Sequence, residues 1–156
     1  MPLLPWSEEL VLGVEVIDRT HREFVDLLAR CEASTDAELP AAWSELVAHT
    51  ADHFGREDDW MEATGFAAVN CHSGQHRMVL QVLQDGVRMA AEGKLEPVRQ
   101  MVRELAIWFP QHSATMDAAL AQHLMKVGYD DTTGEVTRPE ALPKQPITHC
   151  GTSVCS

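Results

Sequence analysis

Basic side chains are scarce in this 156-residue chain: 12 Lys and Arg stand against 24 Asp and Glu, a formal charge of −12. A nucleic-acid binder needs a basic patch to displace counterions, and an anionic lipid surface would repel such a chain. Neither class of partner is expected. Long apolar runs are missing too. No stretch approaches the roughly 18 residues that a membrane span needs. The opening MPLLPWSEELVL has neither a basic start nor the apolar run of a secretory leader, so a cytoplasmic protein is expected. Strand signals are equally thin, with no sustained alternation and no Asn-Gly hairpin turn. Aromatic residues reach only 6%, with a single tyrosine. What is present is 45% hydrophobic residues, enough for one self-sufficient core, and eight histidines.

Four segments carry helical periodicity. The first spans about Asp18 to Ala37, with His21, Phe24, Val25, Leu28 and Cys31 on one stripe. The second starts near Pro40, a good first-turn residue, and runs to about Thr64 through Trp43, Leu46, Val47, Thr50, His53, Phe54, Glu57 and Met61. The third, from about Val69 to Glu92, carries His72, His76, Val79, Leu80, Leu83 and Val87. The fourth, from Glu96–Pro97 to about Val127, carries Val98, Met101, Val102, Leu105, Trp108, Phe109, His112 and Leu120. Long helices joined by short turns predict an all-α, up-down-up-down four-helix bundle over residues 18–128. Residues 1–17 form an N-terminal extended arm. Residues 129–156, rich in proline and glycine and without periodicity, form an irregular C-terminal tail that the fold should not need.

The histidines fall on the apolar stripes. His53 and Glu57 are four apart, as are His72 and His76, so each pair shares a helix face and can converge on one ion. His21 and His112 lie on the inner stripes of the first and last helices. Asp117 is harder to place, because an i, i+5 pair diverges by about 140° on an ideal helix. Joint ligation by His112 and Asp117 requires a wide, π-type turn, and Pro110 makes irregularity there easier. The bland alternative is a set of core histidines satisfied by neighbours. Five histidines and two carboxylates in one small core strain it, since each unpaired buried polar group costs roughly 1–3 kcal/mol. A metal centre satisfies them together. Seven ligands exceed one tetrahedral zinc. Two ions account for the number: His72, His76 and His112 on one, His21 and His53 on the other, with Glu57, Asp117 and a solvent hydroxide as bridges. One position then stays open, on the ion with fewer histidines.

These residues resemble the hemerythrin family, and in particular its bacterial members, over roughly residues 6–120. The resemblance rests on Trp6, the DxxH of Asp18–His21, the HFxxE of His53–Glu57, and Met61 and Phe66. It continues through the HxxxH of His72–His76 and Trp108 four residues before the HxxxxD of His112–Asp117. It implies a cofactor of two non-haem iron ions with a bridging hydroxide or oxide, which binds O2 reversibly at a five-coordinate iron and takes azide or similar small anions when oxidised. The His-x4-Asp spacing belongs to the same pattern. Trp108 and Phe109, four and three residues before His112, are the expected O2-pocket residues. His49, one turn before His53, is assigned a supporting place behind the ligands. Asp58 points about 100° away from Glu57, which favours a supporting or solvated role over ligation.

An oxygen carrier, store or delivery protein is expected, not an enzyme. The alternatives are a sensor of oxygen or redox state signalling through the tail, and a di-iron enzyme handling peroxide or NO. Ferritin-like oxidases build their sites largely from glutamates with paired ExxH motifs, which this chain lacks. Of the four cysteines, Cys31 and Cys71 are expected to be simply buried. Cys150 and Cys155 are open to a labile redox pair, a soft metal, or no role, since cytosolic chains seldom hold static disulfides.

Overall fold

The computed structural model describes residues 1–149. Its helices are α1 (Glu15–Ala33), α2 (Leu39–Ala63), α3 (Cys71–Ala91), α4 (Leu95–His112) and α5 (Ala118–Val127). A π-helical turn, Ser113–Asp117, joins α4 directly to α5, so α4, the turn and α5 make up one long fourth helix. Helix α1 packs on α2 and α4, and α3 on α2 and α4, which closes an up-down-up-down ring. Among the described residues there is no strand, only two isolated bridges, Phe66 with Ile147 and Tyr129 with Val136.

Local chemistry fixes the ends nearest the centre of interest. Asn70 caps α3: its side chain accepts the Ser73 N–H at 2.9 Å, and the Ser73 hydroxyl accepts the Asn70 N–H at 3.0 Å. This capping box satisfies two orphan donors and sets His72 in the first turn. The Asp18 carboxylate accepts the backbone N–H groups of Leu12 and Gly13 at 2.7 and 3.1 Å, tying the arm to α1. Proline at position 110 lies inside α4 and supplies no N–H to the preceding turn. The helix widens into the π turn three residues later.

Apolar side chains form two clusters. The larger includes Phe24, Leu28, Trp43, Leu46, Leu83, Val98, Leu105 and Phe109. The smaller holds Ile17, Trp60, Met61, Phe66, Leu120, Ala121 and Leu124. Along α1, α2 and the fourth helix, the candidate ligands fall between members of one cluster and members of the other. The polar layer is therefore sandwiched between two apolar ones.

The tail has no periodicity, but it is not detached. Ile147 accepts the Ala67 N–H at 2.8 Å and donates its own N–H to Gly65 at 2.9 Å, while Thr148 accepts the Cys71 N–H at 3.0 Å. Gly65 (φ 103°) sits against Pro143, and a Cβ there would lie 2.4 Å from the proline ring. Arg138 donates to the Met125 and Lys126 carbonyls at the end of α5. Cys31 is buried and free. Cys71, expected to be simply buried, is half-buried and disulfide-bonded. Its backbone N–H goes to Thr148, a contact between segments that helical periodicity does not register. Cys150 and Cys155 lie outside the described residues.

Candidate metal centre

Every helix of the ring contributes. His21 comes from α1, His53 and Glu57 from α2, His72 and His76 from α3, His112 from the end of α4 and Asp117 from the end of the π turn. All seven are buried. Their donor atoms fall into two groups that could each hold an ion: Glu57, His72, His76, His112 and Asp117 in one, and His21, His53, Glu57 and Asp117 in the other. The π turn brings Asp117 onto the face of His112, with the His112 Nε2 3.1 Å from Asp117 Oδ1.

The two carboxylates divide their oxygens between the groups. Glu57 Oε1 lies 3.5 Å from the Nε2 atoms of both His72 and His76, and Asp117 Oδ1 lies 3.0 Å from His72 Nε2. On the opposite side, Glu57 Oε2 is 3.1 Å from His53 Nε2 and Asp117 Oδ2 is 3.1 Å from His21 Nε2. Each carboxylate thus turns one oxygen toward the three-histidine group and the other toward the two-histidine group.

Most of these close approaches are not hydrogen bonds. His21 Nε2, His76 Nε2, His112 Nε2, both Glu57 oxygens and Asp117 Oδ2 are buried with no hydrogen-bond partner. Atoms that crowd together at about 3 Å without donor–acceptor alignment are aimed at a common point between them. A cation at each point would satisfy them, whereas an apolar core would leave each at full desolvation cost. The donor set fits metal ions.

The electrostatics agree. Burial alone would push the Glu57 carboxyl up, and so would the charge of Asp117. The imidazoles of His53, His72 and His76 crowded around it outweigh both and hold it down at about 2. Asp117 is likewise held well below the usual carboxylate range, against burial, by His112, His21 and His72. Both stay ionised at neutral pH. Burial drives His53 down to about 4, so it stays a neutral donor. His72 moves the other way: burial lowers it, but its contacts to Asp117 and Glu57 prevail and raise it to about 10. A proton there stands in for the positive charge that two buried carboxylates require.

The family model for the hemerythrin HHE cation binding domain matches residues 12–124. The chain belongs to the hemerythrin family. It is 37% identical over 130 residues to a bacteriohemerythrin of Ralstonia nicotianae, a match covering 83% of this chain and 95% of that one. It is 28% identical over 130 residues to a bacteriohemerythrin of Stenotrophomonas maltophilia, covering 80% and 83%. A bacteriohemerythrin of Pseudomonas aeruginosa is 28% identical over 85 residues, covering 52% and 56%. No solved structure matches the chain.

Around the hemerythrin-type donors the structure adds partners of three kinds. His76 Nδ1 meets the Asp58 carboxylate at 2.8 Å, and His112 Nδ1 meets the side-chain oxygen of Gln75. Phe54 stacks on His76 with ring centroids 4.0 Å apart. Trp108 stacks on His112 at 4.4 Å. Phe109 faces a different ligand: its ring stands edge-on to His21 at 4.9 Å and stacks on Phe24 at 4.6 Å. The two residues expected to line one pocket therefore lie against opposite groups. His49 turns its Nε2 to Glu23 of α1 at 2.9 Å, near the surface. His123, the α5 histidine, hydrogen-bonds the Thr64 carbonyl at 2.9 Å.

Sequence reasoning missed Gln75, Phe24 and Phe54 as neighbours of the donors. Phe24 and Phe54 read as ordinary core residues. Gln75 lay in plain view between His72 and His76, but its partner is on another helix. No part of α3 alone points to it.

Proposed function

We propose that this hemerythrin-family chain holds two iron ions and binds O2 reversibly, as a carrier, store or delivery protein. The observation that carries the reading is the division of the two carboxylates, each with one oxygen toward the three-histidine group and one toward the two-histidine group. His72, His76 and His112, with Glu57 Oε1 and Asp117 Oδ1, would supply five donors to one ion. His21 and His53, with Glu57 Oε2 and Asp117 Oδ2, would supply four to the other. A bridging hydroxide or oxide would raise these to six and five and would leave one position open on the two-histidine side. The iron pair, when bound, supplies the electrons on which reversible O2 binding draws.

The remaining tasks fall to the protein. Glu57 and Asp117 bring two negative charges that would offset half of the four positive ones, which lowers the net charge held between the apolar neighbours. Phe109 and Phe24 wall the His21 side with hydrocarbon, which disfavours water and anions there more than an uncharged diatomic gas. The histidine-rich donor set, without the paired ExxH motifs of ferritin-like oxidases, is the reason we place binding ahead of catalysis of peroxide or NO reactions. Trp108 covers the saturated side, where it orients His112 by stacking.

A second reading, sensing through the tail, draws on one contact: Thr148 accepts the N–H of Cys71, the residue immediately before His72. Movement of His72 would be felt there. The discriminating experiment is elemental analysis with visible spectra of the full chain under air, under argon and with azide. Two irons per chain and a visible band that comes and goes with air support the binding reading. A single zinc, or a band that never returns after one exposure, overturns it. A reversible band accompanied by altered protection of residues 65–71 from hydrogen exchange would move the chain to the sensor class.

A further inference from the structure

The three-histidine group draws on two helices of unequal regularity. His72 and His76 sit on α3, whose start is fixed by the Asn70 capping box. His112 is the last residue of α4, one step before the π turn and two after Pro110. Its own backbone is helical, but it borders the widened turn at the helix's end, so an anchor from another helix would fix its imidazole. The outer nitrogens of the three differ accordingly. His72 Nδ1 is buried without a partner, His76 Nδ1 meets the partly exposed Asp58 carboxylate, and His112 Nδ1 meets Gln75 Oε1 across the α3–α4 interface.

An imidazole can give only one nitrogen to a metal, and the partner of the other decides which. The amide oxygen of glutamine can only accept. With Oε1 on Nδ1, the proton sits on Nδ1 and the lone pair on Nε2, which faces Asp117 Oδ1 at 3.1 Å. Gln75 is also neutral. A carboxylate in its place would pull the Nδ1 proton and make Nε2 a stronger electron donor, favouring the more oxidised metal. The same group thus has one histidine backed by a charge and one backed by an amide.

We propose that Gln75 is a positioning residue of the metal centre, which fixes His112 in the ligating orientation and, being uncharged, helps keep the bound metal in its reduced form. The proposal rests on the di-iron reading above. Helix α3 then does more than donate His72 and His76. It also locks the third histidine of the same group, so that the three move as one body.

The test uses the full chain loaded with iron, in wild-type, Gln75→Met and Gln75→Glu forms. Three quantities are measured: helicity by circular dichroism, the rate of iron release to a ferrous chelator, and the midpoint potential of the centre. Gln75→Met keeps the length but removes the acceptor, and is expected to release iron roughly 10–100-fold faster with helicity intact. Gln75→Glu restores an acceptor, so it should hold iron as the wild type does while its potential shifts to more negative values. Gln75→Met with wild-type retention overturns the proposal, as does Gln75→Glu that leaks like Gln75→Met or keeps the wild-type potential. If Gln75→Met does not fold, the potential of Gln75→Glu decides. A wild type that never binds two irons sinks the di-iron reading and this inference with it. A wild type with two irons and a Gln75→Met form indistinguishable from it sinks this inference alone.

Discussion

Stripped of metal, the protein should lose stability as the pH falls from 6.5 to 5, and His53 is the main cause. Its ordinary value of 6.5 drops to about 4 in the fold, chiefly by burial and then by the charge of His21, against the pull of Glu57. The unfolded chain therefore takes up a proton that the folded chain refuses. Stability is present in full above the unfolded value and is lost as the pH falls toward the folded one. At 1.36 kcal/mol per unit, the difference of about 2.5 units is worth about 3 kcal/mol, of which about 2 is gone by pH 5. His112, pushed down by burial against the pull of Asp117, adds to the same limb. The raised groups His72, His21 and His76 act in the opposite sense, mainly above 6.5. The contribution of His72, raised to about 10, is complete below 6.5 and is lost only as the pH rises through 10. That of Glu57, lowered to about 2, is intact above 4.5 and is lost as the pH falls through 2. Urea denaturation of chelator-treated protein at pH 7 and pH 5 is the assay. At an m-value of about 2 kcal/mol/M, the midpoint should fall by about 1 M. His53→Gln should remove most of that fall. A metal-free midpoint that is flat between pH 7 and 5, or a His53→Gln form with the wild-type slope, would refute the reasoning.

Three further outcomes are expected. Gly86→Ala should destabilise the fold by about 1–3 kcal/mol, because a Cβ there would lie 2.7 Å from both the Trp43 Nε1 and the Met101 Sδ; Gly55→Ala, with nothing within 4 Å, should gain up to about 1 kcal/mol from helix propensity, and thermal denaturation reads both signs. Glu57→Ala and Asp117→Ala should each lose at least one of two irons on elemental analysis, while His49→Ala, whose contact is with Glu23, keeps both. Truncation after Gly128 should keep helicity and iron, yet lower the urea midpoint by the equivalent of about 1–3 kcal/mol, since it strips Ile147 from Phe66 and Arg138 from the end of α5; an unchanged midpoint would mean that the tail is dispensable after all.

The parts of this molecule that could be read from sequence are those set by a repeat within one helix. His53 with Glu57 and His72 with His76 announce themselves at four-residue spacing, and the apolar stripes around them fix which way they face. The His112–Asp117 pair marks the boundary of that logic. Ideal geometry sends the two apart, so their joint use demands a wide turn, and the chain has one at Ser113–Asp117. Beyond that boundary lie contacts between helices. Gln75 with His112 and His49 with Glu23 cannot be read from either helix alone. The division of Trp108 and Phe109 between opposite groups follows from the roughly 100° step between consecutive helical residues: neighbours in sequence do not face the same ring. The tail was illegible for a different reason. Much of its hold on residues 65–71 is made of backbone hydrogen bonds, which leave no mark in side-chain pattern.

The smaller apolar cluster explains why so much irregular chain gathers at one end of the bundle. Ile17, Trp60, Met61, Phe66, Leu120, Ala121 and Leu124 form a thin plug beneath the polar layer. Leu12 and Val14 from the arm, Val16 from the first turn of α1, and Tyr129 and Ile147 from the tail pack against it. Without them the plug would face water, and the buried carboxylates above it would stand only a layer from solvent. The opposite end is closed by a larger cluster borne mostly on the helices, to which the arm adds only Leu4, Trp6 and Leu10. Asp18 holds the arm in place, and Gly65 with Pro143 and Ile147 holds the tail. A centre whose donors come from every helix of the ring cross-links the bundle when metal binds, so metal affinity and folding stability are one linked quantity. The arm and tail act on that quantity indirectly, by keeping dry the side of the layer on which the four helices alone provide too little hydrocarbon.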